Sequence, residues 1–124
     1  MDALIIGTRG GAAVNGDAVK ASAGALHSLP VCKVDNMQNA LRYLRDSGIT
    51  LIAATEHTKK NYTDVDMTVP VAIVMGNEEK GIYDENLKLC NEQVRIPMTG
   101  TIESLNVSVA AGVFIYEVVR QRLL

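Results

Sequence analysis

Val71-Ala72-Ile73-Val74-Met75-Gly76-Asn77-Glu78-Glu79-Lys80-Gly81-Ile82 is the stretch on which the fold turns. An unbroken apolar run, reaching back to Val69, ends in a glycine and passes into a polar, charged loop. A short apolar run closed by a turn signal fits a strand buried on both faces, the kind found in parallel sheets. At the end of that strand Gly76 offers no side chain, so a ligand could approach the backbone there. The loop is not of the G-x-x-x-x-G-K-[ST] type, because Gly81 is followed by Ile82 and Tyr83, and there is no G-x-G-x-x-G. A solvated turn with helix-start carboxylates and a binding loop both account for Gly76 to Gly81.

Outward from this run the same pattern repeats. Ala3 to Thr8 is a short apolar run ending in the glycine cluster Gly7, Gly10 and Gly11, and Ile49 to Ala54 is another. Val31 to Val34 is a candidate short strand. Between the runs lie helical signals. Asp17 is an N-cap type before the small-residue segment Ala18 to Leu26, which stops ahead of Pro30. Asn36 caps a helix with Met37, Ala40, Leu41 and Leu44 on one stripe and Gly48 just past its end. A short helix is expected over Asp84 to Cys90, extended chain at Val94 to Ile96 before Pro97, and a long helix over Asn106 to Leu124. That last helix turns basic at Arg120 and Arg122, as suits a C-terminus. Strands alternating with helices predict an α/β fold with a mostly parallel sheet flanked by helices.

The 124 residues provide for one domain rather than two independent cores. A chain that is 48% hydrophobic and 21% charged is globular in type, and no apolar run approaches the roughly 20 residues of a membrane span. The N-terminal residues show no secretory pattern. Twelve Lys plus Arg against 14 Asp plus Glu give a net charge of −2, which disfavours a dedicated basic nucleic-acid clamp. Cys32 and Cys90 match no metal-ligand spacing and form no disulfide framework, so a reduced, cytoplasmic setting is expected.

Chemistry in such a sheet gathers at the carboxyl ends of the strands, in three loops: Ala53 to Asn61, Val74 to Ile82 and Ile96 to Asn106. In the third, Ser104 and Asn106 suit helix capping and ligand binding equally. His27 and His57 stand alone and are read as surface or structural histidines, not metal ligands. Ser104 has no evident histidine partner, which speaks against a serine hydrolase. Lys59-Lys60 and Arg120/Arg122 are expected as solvated faces, with phosphate contact the alternative. The apolar last helix serves as core or as a subunit interface, and residue type leaves both open.

At the second and third loops the residues become specific. V-A-I-V-M-G-N-E-E-K-G-I at Val71 to Ile82, followed by R-I-P-M-T-G-T-I-E-S-L-N-V-S-V-A-A-G-V-F-I-Y-E-V-V-R-Q-R at Arg95 to Arg122, resembles the two C-terminal motifs of the SpoU (TrmH-like) family of SPOUT RNA 2′-O-ribose methyltransferases. Ala21 to Leu26 also resembles the helix after that family's second strand, so the likeness runs through essentially the whole chain.

The resemblance implies an α/β domain with a deep C-terminal trefoil knot, a fold outside the usual rule against threading. It implies S-adenosylmethionine as cofactor, beside Thr55, Gly76, Ile96, Leu105 and Asn106. It implies catalytic roles for Glu78, Ser104 and Asn106 in methylating a ribose 2′-hydroxyl of rRNA or tRNA, with no metal and no membrane. A homodimer through the knot helices is expected. The family's first motif, an Asn and an Arg on an opening helix, has no counterpart, since Arg9 falls after the first strand. The expectation is therefore a single domain over residues 1–124, N-terminally truncated and without the usual RNA-binding extension. The alternatives are a non-catalytic nucleoside-binding or dimerisation module and a flavodoxin-like nucleotide binder.

Overall fold

The computed structural model describes residues 4–7, 31–76, 81–98 and 107–123. The expected helix over Ala18 to Leu26 lies outside the described residues. The chain divides into two compact units, residues 1–40 and 41–124, and each is described by itself.

In the first unit, β1 (Leu4–Gly7) and β2 (Val31–Val34) pair in parallel, with Leu4 opposite Val31 and Gly7 opposite Val34. The helix α1 (Met37–Asp46) follows; the boundary between the units falls within it, after Ala40. It begins where expected: the Asn36 side-chain oxygen accepts from the Asn39 amide at 3.0 Å, satisfying one of the free N–H groups of the first turn. Along it Leu41 is buried and Met37, Ala40 and Leu44 are half-buried, while Arg42, Tyr43 and Arg45 are exposed. At its far end Gly48 takes φ +90°, and the amides of Gly48 and Ile49 return to the carbonyls of Arg45 and Leu44. This double return, with a left-handed glycine, is the Schellman arrangement.

The second unit is built on a three-stranded parallel sheet in the order β4-β3-β5, comprising β3 (Thr50–Ala54), β4 (Val71–Val74) and β5 (Glu92–Val94). The central strand carries the double burial that apolar runs signal: Leu51, Ile52 and Ala53 are all fully shielded. β4 is only half-buried throughout, less than the burial expected of its apolar run; within this sheet, among the described residues, it pairs with β3 alone, whereas β3 pairs on both sides. It is also shorter than its apolar run. Asp66 accepts from the Thr68 amide at 2.9 Å in a tight turn, and Pro70, with no N–H, joins the ladder only through its carbonyl.

A short helix, α2 (Asp84–Leu87), ends earlier than the expected Cys90. The chain must cross to β3 there: the Asn91 amide donates to Leu51 O while the Asn91 side-chain oxygen accepts from the Leu51 amide, both at 2.8 Å. One residue thus supplies both halves of a ladder pair and sets the register of β5, with Ile52 opposite Glu92.

The long helix α3 (Val107–Leu123) closes the core. Phe114 packs with Ile52, Val65, Met67 and Val94, and its ring meets Tyr62 edge-on at 5.7 Å. Tyr62 sits in a single 3-10 turn, Tyr62–Asp64. Among the described residues no helix is long and apolar enough to cross a membrane.

Candidate functional site

Parallel pairing brings the carboxyl ends of β3, β4 and β5 to one edge of the sheet. The residues leaving that edge are Thr55 after β3, Met75 and Gly76 after β4, and Arg95 and Ile96 after β5. Three residues singled out from the sequence, Thr55, Gly76 and Ile96, are therefore brought together. Glu78, Ser104, Leu105 and Asn106 lie outside the described residues.

Thr55 is tied at two atoms. Its amide donates to Val94 O at 2.9 Å, and its hydroxyl oxygen accepts from the His57 amide at 3.2 Å. The loop beyond it is pinned as well: the Thr58 hydroxyl donates to Gln93 O and accepts from the Lys60 amide. Asn61 then bridges Arg95 in parallel, with Arg95 N donating to Lys60 O and Tyr62 N to Arg95 O, both at 2.9 Å. The β3 loop and the chain after β5 thus form a short continuation of the sheet.

Gly76 is required by the path of the chain itself. A Cβ there would lie 2.4 Å from the Gly81 carbonyl carbon and 2.6 Å from the Ile82 nitrogen, closer than real side chains come. The place a side chain would occupy is taken by the chain's own return, where Gly81 adopts φ +68°. That close approach clamps the two ends of the charged loop together.

Met75 and Ile96, both half-buried, pack on the core from this edge and give it an apolar floor. Met75 escaped notice in the sequence although it immediately precedes Gly76. Apolar side chains beside closely spaced backbone groups suit a flat heterocycle with a few polar atoms, so the described residues fit a nucleoside-bearing cofactor. Among the described residues no group of three or more His, Cys, Asp or Glu is placed to hold a metal ion.

The shifted ionisable groups are structural. Cys90 donates its thiol to Asn86 O, and burial pushes its pKa up, which favours the protonated form over a nucleophilic thiolate. Glu117, 3% exposed on α3, is held below the ordinary glutamate range by Arg120, whose Nε and Nη2 donate to its two oxygens at 2.6 and 2.9 Å. Gln121 joins this pair and reaches across the fold, its Nε2 donating to Val65 O and its Oε1 accepting from Met67 N. Arg122 donates to the carbonyls of Met67 and Val69. Both arginines expected on a solvated face are exposed, but they are not idle: Arg122, with Gln121, holds the segment that enters β4, while Arg120 pairs with Glu117 on its own helix. Lys60 is likewise engaged, 2.6 Å from Glu92.

Comparison with known proteins places this geometry. The model of the SpoU rRNA Methylase family matches residues 1–116. The chain is 39% identical over 121 residues to the 23S rRNA (guanosine-2′-O-)-methyltransferase RlmB of Burkholderia sp, covering 98% of this chain and 49% of that protein. Among solved structures, the SpoU methyltransferase AviRb from Streptomyces viridochromogenes, in complex with the cofactor AdoMet, superposes with a TM-score of 0.83 at 33% identity, covering 98% of this chain and 48% of that one. The A. aeolicus TrmH/SpoU tRNA modifying enzyme gives a TM-score of 0.80 at 31% identity, covering 96% and 61%. The chain spans about half the length of the curated relatives it matches. With the family model matching most of its length, and with the α/β fold and parallel sheet of those structures, the chain belongs to the SpoU rRNA Methylase family.

Proposed function

We propose that this chain is the cofactor-binding and catalytic portion of an S-adenosylmethionine-dependent RNA 2′-O-ribose methyltransferase acting on rRNA or tRNA. The observation that carries this reading is the convergence of Thr55, Gly76 and Ile96, from three different loops, on one carboxyl edge of a parallel sheet. The names of the relatives and the AdoMet complex of AviRb support it.

S-adenosylmethionine, when bound, supplies a methyl group already activated on a sulfonium. Thr55, Gly76 and Ile96, with Leu105 and Asn106, hold the cofactor largely through backbone, while Met75 and Ile96 keep water from one side of it. Glu78, Ser104 and Asn106 orient a ribose 2′-hydroxyl and help to draw off its proton. In this reading residues 1–124 are one domain, its C-terminal segment is threaded into the family's trefoil knot, and the protein works in the cytoplasm.

The same reading makes the protein a homodimer through α3. Beyond its core face, this helix carries a second apolar stripe with Val109 54% and Tyr116 70% exposed. Between that stripe and the 3-10 turn runs an open groove of about 500 Å³. An exposed apolar stripe of this kind is a common site of self-association.

The test is titration calorimetry of the folded chain with S-adenosylmethionine and S-adenosylhomocysteine, followed by transfer of labelled methyl to rRNA and tRNA. Saturable binding, with label that survives alkaline hydrolysis as a 2′-O-methylated dinucleotide, is expected. No binding up to millimolar ligand would overturn the proposal.

A further inference from the structure

The short continuation of the sheet beyond the carboxyl edge presents cations with a consistent geometry. Val94 is buried in the core and Ile96 packs against it, so the intervening Arg95 falls on the opposite face and is exposed. Its backbone is locked on both sides by Lys60 O and Tyr62 N. Asn61, its bridge partner, shares that face, because Tyr62 on the next position packs into the core. Lys59, two positions before Asn61, is exposed and comes from a loop pinned to β5 by the Thr58 hydroxyl.

Neither the Lys59 ammonium nor the Arg95 guanidinium has an ion-pair partner among the described residues. Lys60, between Lys59 and the bridge, is neutralised by Glu92 on the core-side face. Glu56 is the exposed carboxylate of the same loop, and His57 adds a further donor. Two cations without an ion-pair partner among the described residues, one on a locked backbone and one in a loop pinned on either side of it, lie next to Ile96 and in the loop that begins at Thr55. They match the spaced negative charge of a nucleic-acid backbone better than a single small anion.

We propose that Lys59 and Arg95 form a phosphate-binding ridge that seats the RNA backbone beside the methyl-transfer edge. The ridge carries no sequence information; it sets where the strand lies relative to the bound cofactor. It also reconciles a net charge of −2 with an RNA partner, since two placed cations suffice for local contact. This inference rests on the methyltransferase reading above and deepens it.

The experiment is fluorescence anisotropy of the 124-residue chain with two unrelated single-stranded RNA oligonucleotides over a range of salt concentrations. The variants are K59Q, R95Q and, as control, K88Q, whose exposed lysine precedes β5 at the other end of the sheet. K59Q and R95Q are each expected to weaken binding about three- to tenfold on both RNAs. Each should also flatten the dependence of log affinity on log salt by about 0.7, as loss of one phosphate contact on a single strand requires. K88Q should change neither quantity. Calorimetry with S-adenosylhomocysteine should give the parental affinity in all three variants, which separates failure of the ridge from failure of the cofactor site. Equal affinities and slopes in K59Q, R95Q and K88Q would overturn the ridge, as would a loss confined to one RNA sequence. Absence of RNA binding by a chain that binds S-adenosylhomocysteine would overturn it too.

Discussion

At Gly76 a single hydrogen decides the geometry of the candidate site. Its α-carbon faces the backbone of Gly81 and Ile82, so even a methyl group must push the loop ends apart. Gly76→Ala should cost about 1–3 kcal/mol, the range for overpacking, and should weaken S-adenosylhomocysteine binding more than tenfold. Thermal unfolding and calorimetry on the same sample read both effects. At Glu117 the decisive property is charge. Its pKa in the folded protein is depressed, first by the Arg120 hydrogen bonds, so its stabilising contribution is complete above the unfolded-state pKa and is lost as pH falls through the folded value. Asp66, lowered by Thr68, acts in the same direction. The melting temperature should therefore drop on acidification, and Glu117→Gln should start lower at neutral pH and fall less steeply. Parallel pH profiles for the two proteins would contradict this.

Among the elements, α1 was the most legible in the sequence and the C-terminal clamp the least. The limits of α1 are set locally: Asn36 caps its third amide and Gly48 accepts the left-handed turn at its end, signals that need no distant partner. Asn36→Ala should destabilise by about 1 kcal/mol in chemical denaturation. By contrast, Gln121 contacts Val65 and Met67 across 56 and 54 positions of sequence, and Arg122 contacts Met67 and Val69 across 55 and 53. Such pairs leave no periodicity to read. Two arginines at a helix terminus are explained as well by the helix dipole as by a clamp. Gln121→Ala removes a two-point contact to buried backbone and should cost about 1–3 kcal/mol. A change below 0.5 kcal/mol would mean that water replaces the amide without loss.

For the whole molecule, the apolar runs pointed correctly to parallel pairing, since every described strand pair is parallel. They do not rank the strands: Ile49 to Ala54 and Val69 to Met75 carry the same apolar signal, yet the middle of β3 is fully buried and β4 half-buried. The candidate site was legible chiefly through motif likeness. Thr55 and Ile96 have no chemical signature of their own and matter because topology delivers them to one edge. The lack of a side chain at Gly76 is visible in the sequence, but the packing of Gly81 and Ile82 against it is not, because that contact is created only by the return of the loop.

The central claim, that this edge receives S-adenosylmethionine, is tested most directly by amide chemical-shift mapping of the isotopically labelled chain titrated with S-adenosylhomocysteine. The account predicts saturable shifts concentrated at Thr55, Met75, Gly76 and Ile96, together with Leu105 and Asn106. Shifts confined instead to the α3 groove around Gly112 and Tyr116, or none up to millimolar ligand, would contradict it.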